Sequence, residues 1–277
     1  NSFFGVLASP NCRYFNLDIA NAITHFGQFI IKLTASEIEK RGFRVIYSDT
    51  DSVFIETNFG KEKAHSLGIE IQNYINKFYQ EFVKKEYSRK SFLELEFEKL
   101  YLSLMIPKVR GEKTGAKKRY AGLIEKNGKE ELDIIGLEAI RGDWTEAAQD
   151  FQKELLLKLF HNDPIEKYIK EYIIKINEGK LNEKLIYRKS IRKELIEYTK
   201  TTPPHVKAAR LLDSLESNVI EYYITIEGPE PIQKLKHKLD YNHYIEKQIK
   251  PIANQILSLK NKNFDDIMQN SKQTKLF

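Results

Sequence analysis

Two aspartates one residue apart, Asp49 and Asp51, stand in the stretch FRVIYSDTDSVFIET, residues 43–57. Phe43, Val45 and Tyr47 alternate with Arg44, Ile46 and Ser48, and Val53, Phe54 and Ile55 make a second apolar run. The pattern predicts a β-hairpin with Asp49-Thr50-Asp51-Ser52 at its tip. Carboxylates that repel one another where strand becomes turn are relieved by a divalent cation, because hard cations take carboxylate oxygens. A plain Asx turn capping the hairpin is the other reading, and the tetrapeptide alone does not choose between them. Further acids follow in ELEFE, where Glu96 and Glu98 share one face of a predicted strand. Their plainer reading is a solvated strand face.

A second kind of chemistry is cationic. Residues 108–119 hold Lys108, Arg110, Lys113, Lys117, Lys118 and Arg119 against Glu112, with Gly111 and Gly115 loosening the chain. Lysines and arginines beside an aromatic, here Tyr120, suit phosphate contacts on a duplex; taken alone, a solvated charged loop is the better reading. A later basic region contains Tyr187-Arg188-Lys189, Arg192-Lys193 and KTTPPHVKAAR at 200–210, with Lys207 and Arg210. Its His205 either donates to a phosphate or packs behind Pro204, and packing is the favoured reading. Arg141-Gly142-Asp143-Trp144 reads as a structural ion pair beside the single Trp, with Arg141 also in reach of a phosphate. The tail, Gln273 to Phe277 (QTKLF), presents two adjacent apolar anchors, Leu276 and Phe277, and a glutamine, as docking peptides do. A frayed terminus with two leftover apolar residues is the alternative.

The elements that must position these residues follow from periodicity. Asp18 is the expected cap of a helix reaching about residue 40, with Ala22, Ile23, Phe26, Ile30 and Leu33 on one face. Gly42 ends it. A second helix is predicted over 61–84, with Ile69, Ile71, Tyr74, Ile75, Phe78 and Phe82 as its buried side. Residues 92–106 alternate as a strand does, 118–124 make another, and Asn127-Gly128 is a hairpin turn leading to 131–135. From about residue 141 amphipathic runs dominate: 145–160 with Thr145 as a cap, 164–179, 187–198, 205–215 and 239–259. A strand is expected at 222–226, with GPEP as a turn after it. The fold class is therefore α+β, a mixed layer to residue 140 followed by a mainly helical domain over 141–269 and a flexible tail, 270–277.

The 277 residues suffice for one large domain or two modest ones. A net charge of +6 and a pI near 9.0 lean towards polyanionic partners. One cysteine, Cys12, rules out an internal disulfide and a cysteine zinc cluster, and suits a reducing compartment. No apolar run approaches the roughly 20 residues of a membrane span, and no signal peptide is visible.

YSDTDS resembles the Y-x-D-T-D-S motif of family B DNA polymerases. NSFFG at the start resembles the end of their N-S-x-Y-G motif, and KKRYAG, residues 117–122, their K-x-Y motif, all in the family's order. Residues 1–15, the KKRYAGL stretch, GPEP and QTKLF are similar to the bacterial polymerase II branch, over nearly the whole chain but only the C-terminal part of such an enzyme. The resemblance implies a palm with an antiparallel sheet and packed helices over 1–140, including the end of the fingers, then a helical thumb. It implies DNA-directed DNA polymerase activity with two Mg²⁺ ions, held by Asp51 directly, Asp49 more weakly and Glu98. Asn1, Phe4 and Thr50 would lie by the incoming deoxynucleotide; Phe4 replaces the usual tyrosine and loses its hydroxyl. Lys117, Lys118, Arg119, Tyr120, Arg141, Arg188, Arg192, Lys207 and Arg210 would contact primer-template DNA. Gln273, Leu276 and Phe277 would bind a sliding clamp, with Thr274 weakening the fit. A second essential aspartate, a fingers lysine and a 3′-5′ exonuclease domain would lie in an N-terminal portion outside this chain. With no initiator methionine and a start inside a motif, the chain is expected to be a piece of a bacterial, cytoplasmic, nucleoid-associated enzyme, inactive alone. The alternative from another class is a non-catalytic DNA-binding and clamp-tethering subunit. A nuclease would explain Asp49 and Asp51 but not KKRYAG or the tail.

Overall fold

The computed structural model describes residues 2–107, 115–199, 202–215 and 217–269. The chain forms two compact units, one ending at Leu100 and one beginning at Tyr101. Both mix helices with small antiparallel strands, the α+β class that the sequence implies.

The first unit holds α1 (Ser2–Ala8), α2 (Leu17–Lys40), β1 (Arg44–Asp49), β2 (Ser52–Glu56) and α3 (Lys61–Tyr87). The cap of α2 is Asn16, not Asp18: the Asn16 side chain accepts from the Ile19 amide at 3.1 Å. Asp18 lies in the first turn, where its charge still complements the helix dipole. The helix leaves through Gly42, whose φ of +85° a side-chain-bearing residue adopts poorly. Ile38 of α2 and Ile71, Ile75 and Tyr79 of α3 form the core, and Val45, Val53 and Ile55 of the hairpin pack against it. Ile71, Ile75 and Tyr79 follow an i, i+4, i+8 seam. Ile69, expected on that side, is exposed, because two residues turn the helix by about 200°. The stripe Ile23–Phe26 of α2 is exposed as well.

The long strand expected over 92–106 is not formed; only Tyr101–Met105 is strand. Residues 91–100 keep the alternation, with Leu95 and Phe97 half-buried and Glu94, Glu96 and Glu98 exposed. Side chains of α3 take the place of a partner strand. Asn76 accepts from the Leu95 amide (2.7 Å) and donates to the Leu95 carbonyl (2.9 Å), and Gln72 accepts from the Phe97 amide (2.7 Å).

In the second unit β3 (Tyr101–Met105), β4 (Tyr120–Lys126) and β5 (Lys129–Ile135) form a sheet in that order. Asn127 and Gly128 turn it with φ of +53° and +73°, the positive values of a type I′ hairpin. Then come α4 (Glu146–Phe160), capped by Thr145 onto the Ala148 amide, and α5 (Ile165–Asn177). β6 (Tyr187–Ser190), β7 (Val219–Thr225) and β8 (Gly228–Pro231) make a further sheet, order β6-β7-β8, with α6 (Pro204–Ala209) packed against β7 and β8. α7 (Tyr241–Tyr244), α8 (Lys250–Leu257) and α9 (Phe264–Gln269) close the described chain. The change of sequence character near residue 140 lies inside this unit: Met105, Ala121 and Leu137 share one core with Phe151, Leu155, Ile169 and Ile252.

Three expectations change here. Residues 187–198 are not an amphipathic run of helix; they are β6 and a loop with one 3₁₀ turn, because Tyr187 pairs with Tyr222 and stacks on its ring at 5.4 Å. GPEP is not a turn but the edge strand β8, where proline can sit without breaking a ladder. The helix over 239–259 is interrupted by a π turn, Ile245–Ile249. Pro251 has no N–H to continue a regular ladder, and the extra residue of the π turn absorbs the defect.

Candidate functional site

The acidic hairpin forms at the expected place. Asp49 pairs with Ser52, so the loop is Thr50 and Asp51. Thr50 has φ of +52°, a strained value for a β-branched residue. The Asp49 carbonyl gathers the turn, accepting from the Asp51 amide at 2.6 Å and the Ser52 hydroxyl at 3.2 Å. Thr50 donates its hydroxyl to Asp49 Oδ1 at 3.3 Å.

An irregularity between Val45 and Tyr47 sets which way Asp49 points. Val45 faces Ile55 and packs on the helices with Val53. One extra residue, the exposed Ile46, then shifts the period, so Tyr47 faces Phe54, ring to ring at 5.3 Å. Side chains two apart share a face. Asp49, Tyr47, Phe54 and Ser52 therefore lie on the side of the hairpin turned from the α2–α3 core. Asp49 is half-buried and Asp51 exposed. Glu98 is exposed on the unpaired segment and meets Lys99 at 3.1 Å. Among the described residues no three acids, histidines or cysteines form a metal-holding group. Two aspartates on a tight turn offer hard oxygen donors that fit a divalent cation, as part of a site.

The basic stretch enters β4. Lys117 and Lys118 are exposed, and Lys118 adopts φ of +55°. Its carbonyl lies against Gly136, where a Cβ would come within 2.1 Å of that oxygen. Arg119, whose Cγ also lies against Gly136, reaches Glu138, which in turn accepts from Gln152 Nε2 at 2.8 Å. Lys118 and Arg119 thus have different surroundings although adjacent. Tyr120 meets Tyr101 edge to face at 6.3 Å. Lys108, Arg110 and Lys113 lie outside the described residues, as do Asn1 and the tail residues Gln273, Leu276 and Phe277. Phe4, on α1, is exposed.

Arg141 grips Asp143 through Nε (3.0 Å) and Nη2 (2.7 Å). That bidentate bond holds the Asp143 carboxyl below its ordinary value. Gln149 donates to the carbonyls of Arg141 (2.8 Å) and Trp144 (3.2 Å), fixing the turn before α4. In the β6-β7-β8 sheet Arg188 pairs with Glu221 at 2.5 Å, while Arg192 and Lys207 are exposed. Arg210 donates to the carbonyls of Leu195 (2.9 Å) and Tyr198 (3.1 Å), clamping the loop that presents Arg192. His205 is held below its ordinary pKa by burial, with Lys189 adding to the shift, as a packed rather than phosphate-seeking imidazole would be.

A family model described as DNA polymerase family B matches residues 1–260. The chain belongs to DNA polymerase family B. It is 40% identical to DNA polymerase II of Escherichia coli (strain K12) over 97% of its length, covering 36% of that relative. It is 30% identical to a DNA polymerase of Pyrococcus horikoshii over 100% of its length and 22% of that protein. Among solved structures, the family B DNA polymerase from Pyrobaculum calidifontis matches with a TM-score of 0.64 at 25% identity, over 92% of this chain and 32% of that one. The chain thus spans about a third or less of these relatives' lengths. No described helix is long and apolar enough to cross a membrane.

For a family B chain, the sequence reading overlooked the residues that hold its basic motif: Tyr101, Asp133, Gly136 and Glu138. The signals were a glycine inside a strand, Gly122, and a lone acid in the apolar run IIGLEAI.

Proposed function

We propose that this chain is the palm and thumb, divided near residue 140, of a template-directed DNA polymerase that extends a primer 3′-hydroxyl with deoxynucleoside triphosphates. The observation that carries the reading is the acidic two-residue turn on the coreless face of its hairpin, within a chain matched by the family over 1–260. Asp49 and Asp51, with Glu98, would hold Mg²⁺ through hard carboxylate oxygens. When bound, such ions draw charge from the attacking and departing oxygens. The protein's own part is positional. The two-residue loop fixes both aspartates relative to one strand end, and Thr50 and Phe4, with Asn1, border the nucleotide. Lys117, Lys118, Tyr120, Arg192 and Lys207 contact the backbone of primer-template DNA, so binding is salt-dependent and indifferent to sequence. Arg119, Arg141, Arg188 and Arg210 serve that surface from within their ion pairs and carbonyl contacts. The tail residues Gln273, Leu276 and Phe277 bind a sliding clamp. The remaining carboxylate and the fingers belong to a part of the enzyme outside these 277 residues. The chain alone is therefore inactive, and the enzyme works in bacterial DNA repair or replication at the nucleoid.

The test is primer extension with Mg²⁺ by this chain joined to, or mixed with, an N-terminal polymerase portion. Synthesis should appear only in the combination and vanish in Asp49→Ala and Asp51→Ala. Undiminished synthesis in both variants would refute the catalytic role and leave a DNA-binding, clamp-tethering subunit.

A further inference from the structure

The sheet β3-β4-β5 carries the tyrosine of the basic motif, Tyr120, at the first position of β4. Three neighbours converge beneath it. Gly122 pairs with Asp133 on one side and with Leu104 on the other. A Cβ on Gly122 would lie 2.1 Å from Cδ1 and 2.6 Å from Cε1 of Tyr101, so the Tyr101 ring occupies the space that any other residue would fill. From there the ring reaches along β4 and presents itself to Tyr120, edge to face at 88°. Its hydroxyl donates to Asp133 Oδ2 at 2.5 Å. Burial first, then the hydrogen bond to Asp133, pushes the Tyr101 pKa up, and a hydrogen bond with the Tyr120 side chain adds to the shift. Tyr101 therefore stays protonated and keeps its donor on Asp133 at every physiological pH.

We propose that Tyr101 is a positioning residue: anchored by Asp133 and seated in the gap over Gly122, it fixes the Tyr120 ring in the orientation that meets the primer-template backbone. The inference rests on the proposed DNA contact of Tyr120. A tyrosine on a strand has two common χ1 wells, and on this proposal the perpendicular Tyr101 ring beside it favours one of them. Tyr101 touches no reacting atom. It sets the entropy lost when Tyr120 binds, because a side chain already ordered gives up less freedom on contact.

Two measurements on the 277-residue chain decide the matter. The first reads the ring signals of ¹³C-labelled Tyr120 by NMR without DNA. Asp133→Asn and Tyr101→Phe should each shift these signals and average them faster, while the thermal midpoint stays near that of the parent. Unchanged Tyr120 signals in both variants overturn the proposal, whatever happens with DNA. The second is a double-mutant cycle on primer-template affinity by fluorescence anisotropy. Tyr101→Phe should weaken binding by about three- to tenfold, the range for one lost hydrogen bond. Added to Tyr120→Ala, it should cost nothing more, since coupled neighbours are not additive. Losses that multiply would also overturn the proposal. Full affinity in Tyr120→Ala alone would instead sink the DNA role of Tyr120, and the NMR result would still judge the positioning.

Discussion

The acidic hairpin and the basic motif stand on foundations of different depth. In the first unit Ile38, Ile71, Ile75 and Tyr79 are the buried centre, while Ile19, Ile23, Phe26 and Phe29 of α2 face outward. In the second, β4, α4, α5 and α8 close over a continuous core in which Phe151, Leu155, Ile165, Ile169 and Ile256 have no exposed surface. An uncovered apolar stripe on a helix marks a surface that other chain or a partner covers. The contrast teaches that the metal-binding candidates depend on a scaffold with little apolar burial of its own, whereas the DNA-binding candidates are carried by a self-sufficient one.

The largest test of that contrast is Phe151→Ala. The ring packs on Tyr168 (5.6 Å) and Tyr172 (5.0 Å) without exposed surface, and its removal should cost about 3–5 kcal/mol. Hydrogen exchange should show the loss in α4, α5 and α8 and leave α2 and α3 unchanged; equal loss in both units would break the comparison. Next comes Gly136→Ala. Its φ of +62° and the Lys118 carbonyl 2.1 Å from the new Cβ force the backbone to move. The midpoint in urea should fall by more than for Gly128→Ala, where φ is +73° but the space is open and the cost is about 1 kcal/mol. Ile75→Ala should cost about 2 kcal/mol, the low end for such a truncation, because the thin first core can settle into the gap. A loss as large as that of Phe151→Ala would mean that the two cores are equally rigid.

The smallest effect is acid-dependent. Because Arg141 holds the Asp143 carboxyl below its ordinary 3.8, the folded form binds the proton less readily than the unfolded chain. Their pair therefore contributes fully above about pH 4 and is lost as pH falls through the depressed folded value. Both side chains are partly exposed, so the contribution is at most about 1 kcal/mol. Asp143→Asn should lower the midpoint slightly at pH 7, and the difference from the parent should shrink as pH falls through the depressed folded value.

The hairpin, its two-residue turn, the Asn127-Gly128 turn and the Thr145 cap were all legible, because each is written in a local pattern of a few residues. The strand at 92–100 was misread because alternation records which side chains turn inward, not what the backbone bonds to; here Asn76 and Gln72 supply the partners from 19 and 25 residues away. The run at 187–198 was misread because an aromatic-basic alternation suits a β strand packed on Tyr222 as well as a helix face. GPEP read as a turn because its prolines hide an edge strand. The acids at 49 and 51 were legible as residue types, but the face they occupy was not: it depends on the one extra residue at Ile46, which no hydrophobic pattern announces.

The side-chain amides of Asn76 and Gln72 have one more consequence. The segment LELEFE alternates apolar and acidic residues, and its main chain has no strand ladder of its own. By occupying the Leu95 and Phe97 amides and the Leu95 carbonyl, the two amides deny that edge to a second molecule. The helix thus shields a main-chain edge otherwise open to pairing, and a chain stripped of both side chains would leave only the glutamate charges to keep a second copy away.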